Sequence, residues 1–414
     1  MSQSRFRTHA RGWRLRRGLA GATTLALASF ALAACQSDAS PGAQAPSSGW
    51  SSPSSSPAAA PKPDPVLLVS NLDDRAAVPV DETVRFSAKG GTLRKVSVDS
   101  AAGALAGDLS GDGSRWTSAG RLEPGTDYMV HAVTTRSDGK RVTRTSRFHT
   151  EDLTLAEQTY ASVSPLQGET VGVGMPVIVT FDVPVTDKAS IEKHMSVSAA
   201  PRQPGTWHWL SDTEVHWRPK AYWRAGSDVS VDLDINSIPA GAGIYGQENR
   251  HVDFHVGDAN VYKVNAATHQ MQVFQNGSLL RTIPITTGKA GFTTRSGTKV
   301  IIEKFETKRM NSETVGINQN NPEFYDIDDV RYAMRLTYSG EFIHAAPWSV
   351  GSQGYANVSH GCTGMSTENA AWLYNMTRRG DVVEYTGTDR PMTLDNGFGD
   401  WNASFADYAS ASAL

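Results

Sequence analysis

The sequence predicts a mainly β protein: two immunoglobulin-like β-sandwich domains followed by a third, β-rich domain with one main helix. Three observations carry this. Period-two runs such as "VRFSA", "KVSVD", "YMVHAV" and "SRFHT" recur at about ten-residue intervals between turn sequences such as "KGG", "SGDGS" and "EPGTD", the pattern of short half-buried strands. Two segments return at an immunoglobulin-sized interval: "GTDYMV" at 125 resembles "GSDVSV" at 226, and "RFHT" at 147 resembles "DFHV" at 253. A helical pattern with both start and stop signals appears mainly once, at "STENAAWLYNMTRRGD".

Taken in order, the chain starts with Arg5, Arg7, Arg11, Arg14, Arg16 and Arg17 ahead of the apolar run "GLAGATTLALASFALAA", which ends before Cys35. Residues 1–34 read as an export leader and are set aside from the fold. The run is shorter than the about 20 residues a membrane span needs. "LAAC" at 32–35 resembles a bacterial lipobox, which implies a lipidated Cys35 at the mature N-terminus; an ordinary cleaved signal peptide is the alternative. At about 0.8 kcal/mol per buried methylene, an anchor with more than one acyl chain holds stably, so the expectation is a protein on the outer face of a membrane. Removing the leader takes away six arginines and no acid or lysine, moving the formal charge from −3 to −9. That balance argues against a nucleic-acid partner.

Residues 36–65 contain 22 Ser, Pro or Ala among 30 and read, with Cys35, as a tether with a flexible-coil reach of roughly 30 Å. Three folded segments follow: 66–150 and 151–257 as the two sandwiches, and 258–386 as the third domain. Residues 387–414, containing "GFGDWN", form a tail expected to pack on that third domain. In the second sandwich, Trp207, Trp209, Trp217 and Trp223 read as core in preference to a sugar-stacking surface, because Trp207 and Trp209 share one strand face. His208 and His216 then read as ordinary surface or strand histidines. In the third domain, "VYKVNAATHQMQVFQNGSLLRTIPITTG" predicts strands joined at an Asn-Gly turn. In the helix, Ser366 is the cap, Ala370, Leu373 and Met376 fall on one side, Arg378 and Arg379 occupy the last turn and Gly380 is the stop.

The chemistry concentrates in "SHGCTGMS". Of two cysteines, one is assigned to lipid, leaving Cys362 as an odd thiol in an exported chain and so a candidate reactive group. A nucleophilic thiol needs a base held in one tautomer. After His269 only His344 and His360 remain. If "NVSHGC" runs as a strand, His360 and Cys362 share a face, although Gly361 relaxes that geometry. His344 lies at a different strand end, "FIHAAPW", stopped by Pro347, and cross-strand approach favours it. An imidazolium and the helix amides downstream should lower the thiol pKa, and the "HGC" turn offers N–H groups to an oxyanion. Two other readings compete: a zinc site from Cys362, His344 and His360, which lacks CxxC or HxxxH spacing, and an inert buried cysteine.

"FIHAAPWSVGSQGYANVSHGCTGMS" resembles the active-site signature of L,D-transpeptidases of the YkuD type, a histidine followed after fourteen residues by Ser-His-Gly-Cys. The whole plan resembles the actinobacterial lipoprotein form with two immunoglobulin-like domains. The resemblance implies Cys362 as nucleophile and His344 as general base, its ring oriented by the carbonyl of Ala345, a position that is often serine in relatives. It implies that Ser359, His360 and Gly361 shape the pocket and oxyanion site, and that Tyr325 and Met310 belong to a substrate-covering flap in the long loop "KRMNSETVGINQNNPEFYDIDD". The implied reaction forms 3→3 cross-links between peptidoglycan stem peptides, from a donor tetrapeptide to an acceptor amine, through a cysteine thioester with release of D-Ala. It needs no metal or organic cofactor, takes place at the cell wall, and is blocked covalently by carbapenem-type β-lactams. With water as acceptor the chain is an L,D-carboxypeptidase; a catalytically silent wall-binding lipoprotein is the reading from another class. Thr363 and Gly364 depart from the pattern, since relatives usually carry an apolar residue and then Asn or Arg there.

Overall fold

Each alternating run becomes a strand. The computed structural model describes residues 65–72 and 75–414. The leader, Cys35 and the tether up to residue 64 lie outside the described residues. In the first sandwich one sheet has the order Leu67–Ser70, Arg85–Lys89, Arg115–Ser118, Gly107–Leu109, and the other Gly103–Ala104, Gly91–Ser100, Asp127–Arg136, Arg141–His149. Their facing positions, among them Phe86, Leu93, Trp116, Tyr128 and Val130, form its core.

The second sandwich repeats the plan, pairing a sheet of Ala161–Ser164, Val177–Phe181, Glu214–Pro219 and Gly205–Trp209 with one of Thr170–Val171, Arg250–Val256, Asp228–Leu233 and Met195–Ala200. The four tryptophans are buried in its core, Trp223 stacking on Trp217 and meeting the edge of Phe254. The repeated segments occupy equivalent places. Gly125 and Gly226 both take positive φ before a strand, and the pairs Asp127–His149 and Asp228–His255 bridge the same two strands in each copy.

In the third region a five-stranded sheet, ordered Ser278–Pro284, Gln270–Gln275, Asn260–Asn265, Val382–Thr386, Gly297–Val300, accompanies a four-stranded sheet, ordered Glu303–Asn311, Asp326–Arg335, Phe342–Ala345, Thr363–Met365. Asn276 and Gly277 both have positive φ, the geometry that a two-residue hairpin requires. Helix Thr367–Met376 starts at Ser366, whose hydroxyl accepts from Asn369 N–H at 3.2 Å, and buries Ala370 and Leu373. It ends earlier than the sequence pattern indicated. Thr377 turns extended, and its hydroxyl binds the Leu373 carbonyl and the Tyr262 hydroxyl, leaving Arg378 and Arg379 beyond the helix. Gly380, at φ +92°, serves a close backbone approach to Gly172 rather than the helix stop.

The tail also differs from expectation, because it docks on the second sandwich as well as on the third region. Asn402 brackets Thr298 through both backbone groups, while Tyr408 O accepts from His208 Nδ1 at 2.8 Å. His216 is no ordinary strand histidine: it is fully buried, with Nδ1 2.8 Å from Asp400 and Nε2 2.9 Å from Glu214. Among the described residues, no helix is long and apolar enough to cross a membrane.

Candidate active site

Strand Phe342–Ala345 is buried along its whole length and pairs parallel with Thr363–Met365, His344 opposite Gly364. This pairing brings the segment just before Thr363, and so Cys362, beside the histidine strand. The His344 Nδ1 lies 2.8 Å from the Ala345 carbonyl. A carbonyl only accepts, so Nδ1 carries the proton and Nε2 keeps its lone pair. Burial lowers the His344 pKa from its ordinary value, with the Ala345 bond opposing, which keeps the ring neutral.

Cys362 follows a turn, not a strand. Ser359 Oγ donates to the Cys362 carbonyl at 2.6 Å and accepts from Gly361 N–H at 3.1 Å, while Thr294 holds the Gly361 carbonyl. Gly361 sits at φ +123°, a conformation that side chains oppose, so strand alternation does not relate His360 to Cys362. The Gly361 N–H is spent on Ser359 and is not open to an oxyanion. Cys362 is 9% exposed, packed with Ala333 and Phe342 and flanked by Phe305 and Met310, with the Gly340 carbonyl 3.6 Å from its sulfur. Burial pushes the thiol up to about 12, against a Phe342 N–H that favours thiolate, with Glu341 adding and Lys299 subtracting. The lowered pKa expected from sequence is therefore overturned, because desolvation outweighs every nearby positive charge and His344 is neutral.

His360 is engaged elsewhere. Its Nε2 lies 2.7 Å from Glu323, which also takes Lys289 at 2.6 Å, and its ring sits between Phe292 and Tyr325. Met310 lies on strand Glu303–Asn311 rather than in a loop, past a bulge near Lys308.

Two cavities share Cys362 in their walls. One, of about 260 Å³, is lined by Met310, Tyr325, His344, Trp348, His360 and Cys362 among others. The second, of about 210 Å³, is lined by Lys308, Arg309, Met310, Tyr325, Arg335 and Cys362 among others. Met310 and Tyr325 wall both, which places the two flap candidates over Cys362. Ser359 also lines the first cavity, whereas Gly361 shapes the turn from behind.

Sequence reasoning missed the ionic trio behind the thiol. Glu341 pairs with fully buried Lys299 and, at 2.9 Å, with Arg295. The available signal was a lysine and a glutamate inside or beside otherwise apolar strands. The Thr363–Gly364 departure has a packing reason. Thr363 is buried with its hydroxyl 2.7 Å from Tyr385, and a Cβ on Gly364 would come within 2.8 Å of the Ala346 Cβ.

Residues 259–384 match the family model described as the L,D-transpeptidase catalytic domain, and residues 75–239 match that of the bacterial Ig domain. The chain is 34% identical over 351 residues to L,D-transpeptidase 2 of Mycobacterium tuberculosis (strain CDC 1551 / Oshkosh), covering 84% of this chain and 85% of that protein. This chain belongs to the L,D-transpeptidase family. It is also 33% identical over 363 residues to L,D-transpeptidase 5 of Mycobacterium tuberculosis (strain ATCC 25618 / H37Rv), covering 86% and 78%. A solved L,D-transpeptidase in complex with imipenem is 39% identical over 55% of this chain and 98% of that one, with a TM-score of 0.49. The L,D-transpeptidase catalytic match contains Met310, Tyr325, His344, Ala345 and the turn Ser359–Cys362. The Ig match spans strands of both sandwiches.

Proposed function

We propose that this L,D-transpeptidase cross-links peptidoglycan stem peptides 3→3, with Cys362 as nucleophile and His344 as general base. The observation that carries it is one cysteine, Cys362, lining two cavities, with His344 in the wall of one and its tautomer set by Ala345. Two cavities at one nucleophile suit a donor and an acceptor. With both groups neutral at rest, the Cys362 proton passes to His344 Nε2 as the sulfur attacks the carbonyl carbon of stem residue three. The tetrahedral adduct collapses, the C–N bond to D-Ala breaks, and the leaving amine takes the proton from His344. A thioester remains. The acceptor amine attacks it, His344 takes the amine proton, and the thiolate leaves and is reprotonated as the new amide forms. Atoms balance without an added cofactor. Lys308, Arg309 and Arg335 give the second cavity cations suited to stem-peptide carboxylates, a contact that Thr363 and Gly364 do not supply.

The same reading places the chain on the outer face of the cytoplasmic membrane, held through lipidated Cys35 and reaching into the wall. It also makes Cys362 the atom that carbapenems acylate.

The test uses the compact unit Lys62–Leu414 with a disaccharide-tetrapeptide and mass spectrometry of the products. Expected are a cross-linked dimer with loss of D-Ala, a stoichiometric imipenem adduct, and loss of both in Cys362→Ala. Tripeptide without dimer would reassign the chain to L,D-carboxypeptidase. No cysteine-dependent product would leave a silent binding module.

A further inference from the structure

Charge is distributed unevenly along the chain. Between residues 66 and 150 twelve Lys and Arg stand against ten Asp and Glu, whereas residues 151–414 carry twenty against thirty. The first sandwich is therefore the basic part of an acidic protein, and its cations gather at one end. On the outer face of the sheet that contains Asp127–Arg136, Thr135 pairs with Arg141, Lys95 lies opposite Val133, and Arg94 reaches Thr135 Oγ1 at 3.0 Å from a bulge. Lys140 stands at the adjoining hairpin tip, and Lys89 ends a strand of the other sheet. All five are exposed, and none makes an ion pair among the described residues. Among the described residues two acids stand at this end: Asp138, already paired with Arg136 at 3.3 Å, and Asp112, whose carboxylate accepts from Ser110 Oγ at 2.6 Å and Ser114 N–H at 2.9 Å in the loop that bonds Leu93. Farther along the same strands, Asp99 lies about 14 Å beyond Lys95 and Asp127 about 27 Å beyond the Thr135–Arg141 pair, at about 3.4 Å per residue.

Two further observations say what meets this end. The described chain enters here: Val66 O accepts from Arg144 Nε at 2.9 Å, and Gly90 and Gly91 pack against Pro65 and Val66. The opposite end faces the second sandwich, through Arg121 to Asp234 and Asn236 to Glu123. Leu67, paired with Lys89, is 55% exposed at the entering end. An exposed leucine among unpaired cations fits a lipid interface better than a soluble polyanion, which offers nothing apolar.

We infer that the free end of the first sandwich, built from Arg94, Lys95, Arg141, Lys140, Lys89 and Leu67, docks on the anionic phospholipid headgroups of the membrane surface. The choice of a membrane as occupant rests on the lipid-anchor reading of Cys35, whose tether of about 30 residues delivers this end first. Docking then orients the folded part, with the second sandwich and the catalytic region directed away from the lipid.

The experiment is co-sedimentation of Lys62–Leu414, which lacks Cys35 and the leader, with vesicles of phosphatidylcholine alone or of equal parts phosphatidylglycerol and phosphatidylcholine. Binding to the anionic vesicles only, weakened by salt and about a hundredfold weaker in the triple variant R94Q/K95Q/R141Q, is expected, since each basic residue near such a surface adds about fivefold. The three positions are exposed, and an unchanged thermal midpoint verifies that the variant is folded. Equal partition onto both vesicle types, or wild-type binding by the triple variant, would overturn the inference. So would retention of polyglycerol phosphate without vesicle binding, which would make the face a reader of wall polymer. Mass spectrometry of Cys35 in the full-length protein tests the anchor separately, so failure of one reading is distinguishable from failure of the other.

Discussion

At the scale of single residues, the thiol and the imidazole are both held in their neutral forms by burial, and this sets how the nucleophile is made. The Cys362 pKa is pushed up to about 12 while that of His344 is lowered, so the proton moves only as a carbonyl arrives. Cys362 is the only cysteine in Lys62–Leu414, which makes the consequence measurable. Its alkylation by iodoacetamide should keep rising between about pH 7 and 10, close to tenfold per unit, because the thiolate fraction does. A rate flat across that range would show a preformed thiolate–imidazolium pair instead. His344 and Cys362 were legible in the sequence through residue type and spacing. The engagement of His360 by Glu323, 37 positions away in the chain, was not, because no local pattern links them.

At the scale of elements, the helix after the cysteine and the strand before it act as a clamp. Thr363–Met365 pairs with the His344 strand, and Ser366 then starts the helix whose Ala370 and Leu373 lock into the core shared with Ile343 and Met365. Replacing Ser366 by alanine removes one cap hydrogen bond and should cost about 1 kcal/mol of unfolding free energy by denaturant titration. The start of this helix was readable because capping is local chemistry. Its end was not, because Thr377 is turned by Tyr262, a residue from a distant strand. The flap shows the same division: Met310 and Tyr325 were assigned to a loop, yet cross-strand pairing with Ile327 and a bulge put Met310 on a strand over the sulfur.

At the scale of the whole molecule, the tail is a strap between the second sandwich and the catalytic region, closed on a buried ion pair. Burial alone would lower the His216 pKa, but Asp400 and Glu214 outweigh it and raise it to about 9. The sign follows from linkage. The folded ring keeps its proton up to about pH 9 while the unfolded ring releases it near 6.5, so the stabilisation is complete below about 6.5 and is lost as pH rises through 9. Asp400 is shifted down, so its own contribution is lost at the acid end, as pH falls below the ordinary carboxylate range. The His216 contribution to the unfolding free energy of Lys62–Leu414 should therefore fall by about 3 kcal/mol between pH 6.5 and 9, at about 1.4 kcal/mol per pKa unit. It is read as the difference between wild type and His216→Gln, because Lys299, brought down by burial to about 8, gives the opposite slope above that pH. A His216→Gln profile parallel to that of wild type would remove the pair from the account.

What the sequence determined by itself is what local periodicity and short motifs encode: strands in two repeated sandwiches, the buried tryptophans, the helix start, and a histidine and a cysteine at a family spacing. Alternation, caps and turn residues act over a few positions, so they survive in one dimension. The tertiary structure alone decided the protonation of the thiol, the Glu341–Lys299–Arg295 cluster behind it, the capture of His360 by Glu323 and the docking of the tail through His216 and Asp400. Each depends on desolvation or on charges tens to hundreds of residues apart, and both come into being only when the chain has folded.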